Sequence, residues 1–239
     1  MEAQVRRLVE KAWTRYQETP QDKRLRKTTL ARIITQELNA HARSIAPAAP
    51  EPAVFLPMDG FHYTRAALSA MPDPETAHFR RGAAFTFDAP KFLSLVQSLR
   101  APLDPPGPDH PTASSSPGPA ILAPSFDHAV KDPKEDDIAI LPRHRIVVAE
   151  GLYLALDQPV WRDAAALFDE LWFVQVGFNT ARRRLGARHV RAGIARTLED
   201  GDRRAMQSDL VNGEEILRCR LAVHELVESL EDEEWVHED

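Results

Sequence analysis

Arg145-Ile146-Val147-Val148-Ala149-Glu150-Gly151 is the stretch on which the fold turns. Its unbroken apolar run is what a strand needs inside a parallel sheet that is covered by helices on both faces. Leu171-Trp172-Phe173-Val174-Gln175-Val176 has the same character, and Ala53-Val54-Phe55-Leu56, led in by Pro47, Pro50 and Pro52, predicts a third short buried strand. Between the strands lie helical patterns. Val5, Leu8, Val9, Ala12, Trp13 and Tyr16 share one face, and Leu30, Ile33, Ile34 and Leu38 share another. Phe92, Leu95, Val96 and Leu99 line a helix with Asp88 placed to cap it and Pro90 in its first turn. Residues 180–191 and about 197–209 predict two more helices. Residues 221–230 fit helix or strand equally well. Strands alternating with helices predict a doubly wound α/β fold.

At 239 residues the chain is long enough for one such domain with insertions, and 43% hydrophobic residues fit a globular core. No apolar run reaches the length of a membrane span, and the N-terminal MEAQVRRLVEKAW is not a secretory signal. Cys219 is the single cysteine, which excludes an internal disulfide and fits a reducing compartment; a cytoplasmic location is expected. A net charge of -6 argues against nucleic-acid binding by bulk electrostatics. Residues 101–124 hold eight prolines and a Ser-Ser-Ser run, and predict a loop.

Three constellations carry chemistry. Met58-Asp59-Gly60-Phe61-His62 follows a predicted strand, where open α/β sheets bind ligands, so Asp59 can take a proton from a substrate hydroxyl; an ordinary Asp-Gly turn fits as well. Glu150 ends its strand as a carboxylate able to hold Mg²⁺ or its water shell, or as a plain solvent-facing acid. The run Arg182-Arg183-Arg184-Leu185-Gly186-Ala187-Arg188-His189-Val190-Arg191 can close over phosphates, or form a solvated face.

Taken in order, Met-Asp-Gly-Phe-His, then residues 79–88 with Arg80-Arg81-Gly82, then Pro124-Ser125-Phe126-Asp127-His128, then Val-Val-Ala-Glu-Gly, then Arg184 to His189 resemble the uridine kinase, phosphoribulokinase and pantothenate kinase superfamily, over roughly residues 18–232. The resemblance implies a single kinase-like P-loop domain over residues 1–239, with a three-layer α/β fold and a parallel sheet. It implies ATP and Mg²⁺ as cofactors and a small alcohol (nucleoside, sugar or similar) as phosphate acceptor. By it Asp59 is the general base, and Arg184 and Arg188 belong to a catalytic lid at about residues 180–193. His62, Arg80, Arg81 and His128 lie toward the acceptor, and Glu150 serves the metal. Glu225 to Ser229 becomes the last strand.

One block departs from that pattern. The family places a strand and G-x-x-x-x-G-K-[ST] before Thr29-Leu30-Ala31; here stands Gln21-Asp22-Lys23-Arg24-Leu25-Arg26-Lys27-Thr28. Lys27, Thr28 and Thr29 match the nucleotide-binding end of the motif, with Thr28 also toward the metal, but neither glycine is present. Six residues separate Pro20 from Lys27, and four of them are charged. A strand of roughly five residues and a loop of about six more do not fit in that space. The first strand and phosphate loop are therefore expected to be missing. A kinase and a non-catalytic, kinase-like binding or regulatory protein remain the two readings.

Overall fold

The computed structural model describes residues 2–18, 25–28, 31–101 and 119–229. In chain order these form α1 (Glu2–Glu18), β1 (Leu25–Thr28), α2 (Ala31–Ile45), β2 (Ala53–Pro57), α3 (Arg65–Ser69), α4 (Pro74–Phe79) and α5 (Ala89–Arg100). There follow β3 (Ile121–Asp127), β4 (Asp132–Ile140), β5 (Ile146–Glu150), α6 (Trp161–Ala165), β6 (Trp172–Gln175), α7 (Phe178–Arg191), α8 (Leu198–Arg204), α9 (Leu210–Arg218) and β7 (Glu225–Glu228). No helix among the described residues is long and apolar enough to cross a membrane.

β5 lies in the middle of a three-stranded parallel ladder, with β1 on one side and β2 on the other. β6 and β7 form a second parallel pair, and β1 comes close to β6 without a ladder between them. The β5 side chains alternate as a strand's must. Ile146 and Val148 face a core with Leu8 and Ala12 of α1 and Ile34 and Leu38 of α2. Val147 and Ala149 face the other core, with Leu56, Phe61, Phe92, Tyr153 and Trp161. Both faces of the sheet are therefore covered, which explains why the run at residues 146–149 carries no polar residue. α5 starts as its sequence requires: Asp88 accepts from the Lys91 N–H at 2.9 Å, Pro90 sits in the first turn, and Phe92, Val96 and Leu99 are buried.

Two local expectations change. The place beside β5 is not vacant: Leu25–Thr28 forms β1, in register Leu25↔Ile146 through Thr28↔Ala149. The spacing argument assumed that Lys27 and Thr28 belong to a loop; with no glycines to turn the chain, these residues extend and take up the open ladder edge of β5 instead. The proline-rich stretch gives up its end to β3, which pairs antiparallel with β4 from Ile121↔Ile140 to Asp127↔Asp132. Pro124 falls where the register shifts between Ala123 and Ser125, a position at which a missing N–H costs no ladder bond. Residues 102–118 lie outside the described residues.

Candidate active site

The parallel register of β2 and β5 aligns Pro57 with Glu150, so the turn carrying Asp59 and the end of β5 meet at one edge of the sheet. Two glycines permit that approach by having no side chain. A Cβ on Gly60 would stand 2.1 Å from the Pro124 carbonyl oxygen, and one on Gly151 2.3 Å from the Met58 Cβ. Burial, then the neighbouring Asp59 carboxylate, raises the Glu150 pKa to about 7, against the pull of Arg188 and Arg32. Four charged groups thus converge here: Asp59, Glu150, Arg188 from α7 and Arg32 from the first turn of α2. Arg32 also stacks over Phe55, its guanidinium carbon 5.2 Å from the ring centre.

The residues expected toward an acceptor divide. His62 Nδ1 donates to the Asp59 carbonyl oxygen at 2.9 Å, which fixes the turn. Its ring lies between Phe87 and Phe126, and burial lowers its pKa, which favours the neutral form. With Nδ1 carrying the proton, Nε2 is an acceptor. Arg81 donates to the Lys131 and Tyr63 carbonyls and to Asp132, tying the β3–β4 hairpin to the loop after α4. Arg80 donates to the buried Asn212 of α9 at 2.7 Å, while its Nε is buried without a partner. Tyr153 donates to the Gly82 carbonyl at 2.6 Å, and its pKa is raised, mainly by burial. His128 is exposed at the hairpin turn, its ring 5.2 Å from Phe126.

The two arginines expected in a lid also separate. The charge of Arg188 acts on Glu150, lowering its pKa, whereas Arg184 donates to Ser229 beyond β7 at 2.8 Å. α7 is held against α8 by a glycine crossing, in which a Cβ on Gly201 would lie 2.4 Å from the Gly186 carbonyl oxygen. His189 is buried and shares a 2.8 Å hydrogen bond with Asp209, in the π-helical turn Ala205–Asp209 between α8 and α9. Sequence reasoning missed Arg32, Asp209 and Asn212. Arg32 carried a faint signal, as a cation in the first turn of the helix that follows the lysine block. Asp209 and Asn212 carried none, because the predicted helix ended at the first of them and short of the second.

The residues expected to bind the nucleotide fit less well. Lys27 and Thr28 are in extended strand, paired with Val148 and Ala149, and Thr29 lies outside the described residues. Successive amides of a strand point to opposite sides, whereas a phosphate cradle needs them to converge. The residues present therefore do not form a phosphate loop. Two carboxylates at one edge do suit Mg²⁺, which typically takes one or two carboxylates and completes its shell with water and phosphate oxygens. Among the described residues no cluster of three or more His, Cys, Asp or Glu side chains is placed to hold a metal by itself.

Helices on both faces of a parallel sheet, with paired carboxylates at its carboxyl edge and an arginine helix above them, define a kinase-like α/β protein. No protein-family model matches the chain. An Aspergillus versicolor protein named ATP-dependent kinase-like protein notR' is 49% identical over 170 residues, spanning 71% of this chain and 92% of that protein. A Schizosaccharomyces pombe protein named "Putative uridine kinase" is 37% identical over 186 residues, 78% of this chain and 71% of that one. Among solved structures, YFH7 from Saccharomyces cerevisiae, described as "a putative P-loop containing kinase with a circular permutation", superposes with a TM-score of 0.78 at 22% identity, over 95% of this chain and 99% of that one. At that identity the likeness is one of fold. The chain belongs to the P-loop kinases of the uridine kinase type.

Proposed function

We propose that this chain is built as a phosphotransferase that acts on a hydroxyl group of a small metabolite, a nucleoside, sugar or similar alcohol, with ATP as donor and in the cytoplasm. The observation that carries the reading is the convergence of Asp59, Glu150, Arg188 and Arg32 at the carboxyl edge of β2 and β5. Asp59 is the group to accept the proton of the acceptor hydroxyl. Burial beside Asp59 raises the Glu150 pKa to about 7, so Glu150 is partly protonated near neutral pH. Arg188 supplies positive charge above the pair, and Mg²⁺, where bound at the carboxylates, adds electrostatic stabilisation of phosphate oxygens. His62 Nε2 and the His128 side chain are the polar groups available to orient an acceptor.

A second reading is favoured by one observation, the strand conformation of Lys27 and Thr28. On that reading the chain keeps the acceptor side and serves as a non-catalytic binding or regulatory protein.

One experiment separates the two. ADP release is measured with Mg²⁺–ATP and a panel of uridine, fructose, glycerate and pantothenate, for the parent chain and for Asp59→Asn. The phosphotransferase reading expects alcohol-dependent ADP release that falls on the order of 10²- to 10⁴-fold in Asp59→Asn, while ATP affinity is unchanged. Turnover within a few-fold of the parent would remove Asp59 from the base role. No release with any alcohol, together with no measurable ATP binding, leaves the non-catalytic reading standing.

A further inference from the structure

The first glycine of the chain is Gly60, so none precedes α2, where the family has its phosphate loop. The amides of an extended strand do not converge on a phosphate, and the Lys27 backbone is level with Val148, two residues short of Glu150. Recognition of phosphate at this edge therefore falls to side-chain cations. Val148 and Glu150 lie on one face of β5, because alternate residues of a strand share a face. α2 covers that face: Ala31 and Ile34 pack with Val148, and Phe55 of β2 lies against the same core. α2 starts soon after β1 ends, at the carboxyl edge of the sheet, and Arg32 is exposed in its first turn. Its guanidinium carbon stands 5.2 Å from the centre of the Phe55 ring. A stacked guanidinium rests its face on the ring and keeps its in-plane N–H groups for oxygen acceptors. Among the described residues no hydrogen bond or ion pair occupies those groups. Arg32 and Glu150 thus share a face and an edge, and the Arg32 charge acts to lower the Glu150 pKa.

We propose that Arg32 is the phosphate-binding residue of this chain, standing in for the lysine and glycine loop of the family: its guanidinium fork takes the phosphate oxygens of a polyphosphate at the carboxyl edge, beside Asp59 and Glu150. A planar fork pairs two oxygens at once, which a lysine point charge does not. Stacking on Phe55 holds the plane before the ligand arrives, so less side-chain freedom is lost on binding. The place of the donor phosphates rests on the phosphotransferase reading; the binding itself requires no transfer.

The test titrates inorganic tripolyphosphate calorimetrically at low salt and without Mg²⁺, so that the anion meets only the protein's own charges. The parent is compared with Arg32→Ala, Arg32→Lys, Lys27→Ala and Arg6→Ala. Arg32→Ala is expected to bind about tenfold or more weakly than the parent. Arg32→Lys, which keeps the charge and loses the fork, should fall between the two. Lys27→Ala should lose less than Arg32→Ala. Arg6→Ala makes the same change of charge at an exposed site on α1 and should match the parent. The proposal is overturned if Arg32→Ala stays within about twofold of Arg6→Ala, as a plain surface charge would. It is overturned equally if Lys27→Ala loses as much or more, or if the parent binds no tripolyphosphate at millimolar concentration. Should Arg32→Ala fail to fold, Arg32→Lys decides, since an affinity equal to the parent's rules out the fork. A chain that binds the probe through Arg32 yet releases no ADP with any alcohol keeps this assignment while the phosphotransferase reading fails.

Discussion

Glu150 shows how one residue's surroundings turn into a pH dependence. Burial and the Asp59 charge hold its pKa at about 7, well above its ordinary value of 4.5. Between those two values the folded chain keeps a proton that the unfolded chain releases. Stability is therefore highest below about pH 4.5 as far as this group is concerned, and is lost as pH rises through 7, by on the order of 3 kcal/mol at most. Glu150→Gln should flatten that slope and make the protein more stable than the parent at pH 8. Arg188→Ala should do the opposite, because a compensating cation is removed. Urea unfolding at pH 5, 6, 7 and 8 reads both effects. A parent midpoint that does not fall across this range would mean that Glu150 titrates like an ordinary surface acid. Asp59 and Glu150 were legible in the sequence because each closely follows an apolar strand. Arg32 could not be tied to them in the same way, because Glu150 is distant in the chain and only the packing of α2 beside β5 brings the two together.

The placement of the arginine helix α7 depends on two elements touching backbone to backbone. Gly201 of α8 lies so close to Gly186 of α7 that a methyl group must push the helices apart. Gly201→Ala is expected to destabilise by about 1–3 kcal/mol, the usual range for overpacking. It should also move Arg188 away from Glu150 and so raise the Glu150 pKa further. Alanine at Gly213, where a Cβ meets nothing within 4 Å, is the control and should be neutral or slightly stabilising, since alanine favours a helix interior. Thermal unfolding of the two variants side by side checks the contrast; equal midpoints would show that the crossing relaxes at no cost. The same elements show which parts of the fold a sequence reveals. The buried strands and the arginine helix were readable from continuous apolar or basic runs. The β3–β4 hairpin was not: β4 reads Asp-Pro-Lys-Glu-Asp-Asp before its first apolar residue after the proline, and most of it faces solvent. Its place against the body is set by Arg81 bonding across to Asp132 and the Lys131 carbonyl, contacts that leave no periodic trace.

At the scale of the molecule, the sheet is in two pieces, and α1 joins them. Its Leu8 and Ala12 pack in the core shared by β5 and β6, while Lys11 bonds Glu225 of β7 at 2.5 Å and lies 3.5 Å from the fully buried Glu170. Glu170 also accepts from the Trp172 indole at 2.7 Å. Lys11→Ala would leave a buried carboxylate with one partner fewer. A loss of about 1–3 kcal/mol is expected, or a fall in Tm of a few degrees for a chain of this size. The loss should shrink at acid pH: Lys11 and Arg7 hold the Glu225 pKa below its usual value, so that stabilisation is present at neutral pH and disappears as pH drops through the folded pKa. An unchanged Tm at pH 7 would show that α1 is held by its apolar face alone. The central place of β5 has a further consequence, and it concerns synthesis. β1 and β2 are made early, yet the strand that both must pair with spans residues 146–150. At the roughly 5–20 residues per second of translation, β2 waits on the order of 5–20 s for that partner with its ladder edges unpaired. For that interval the nascent chain displays β2 as an open, apolar strand, which makes it a natural client for chaperones that bind extended hydrophobic segments.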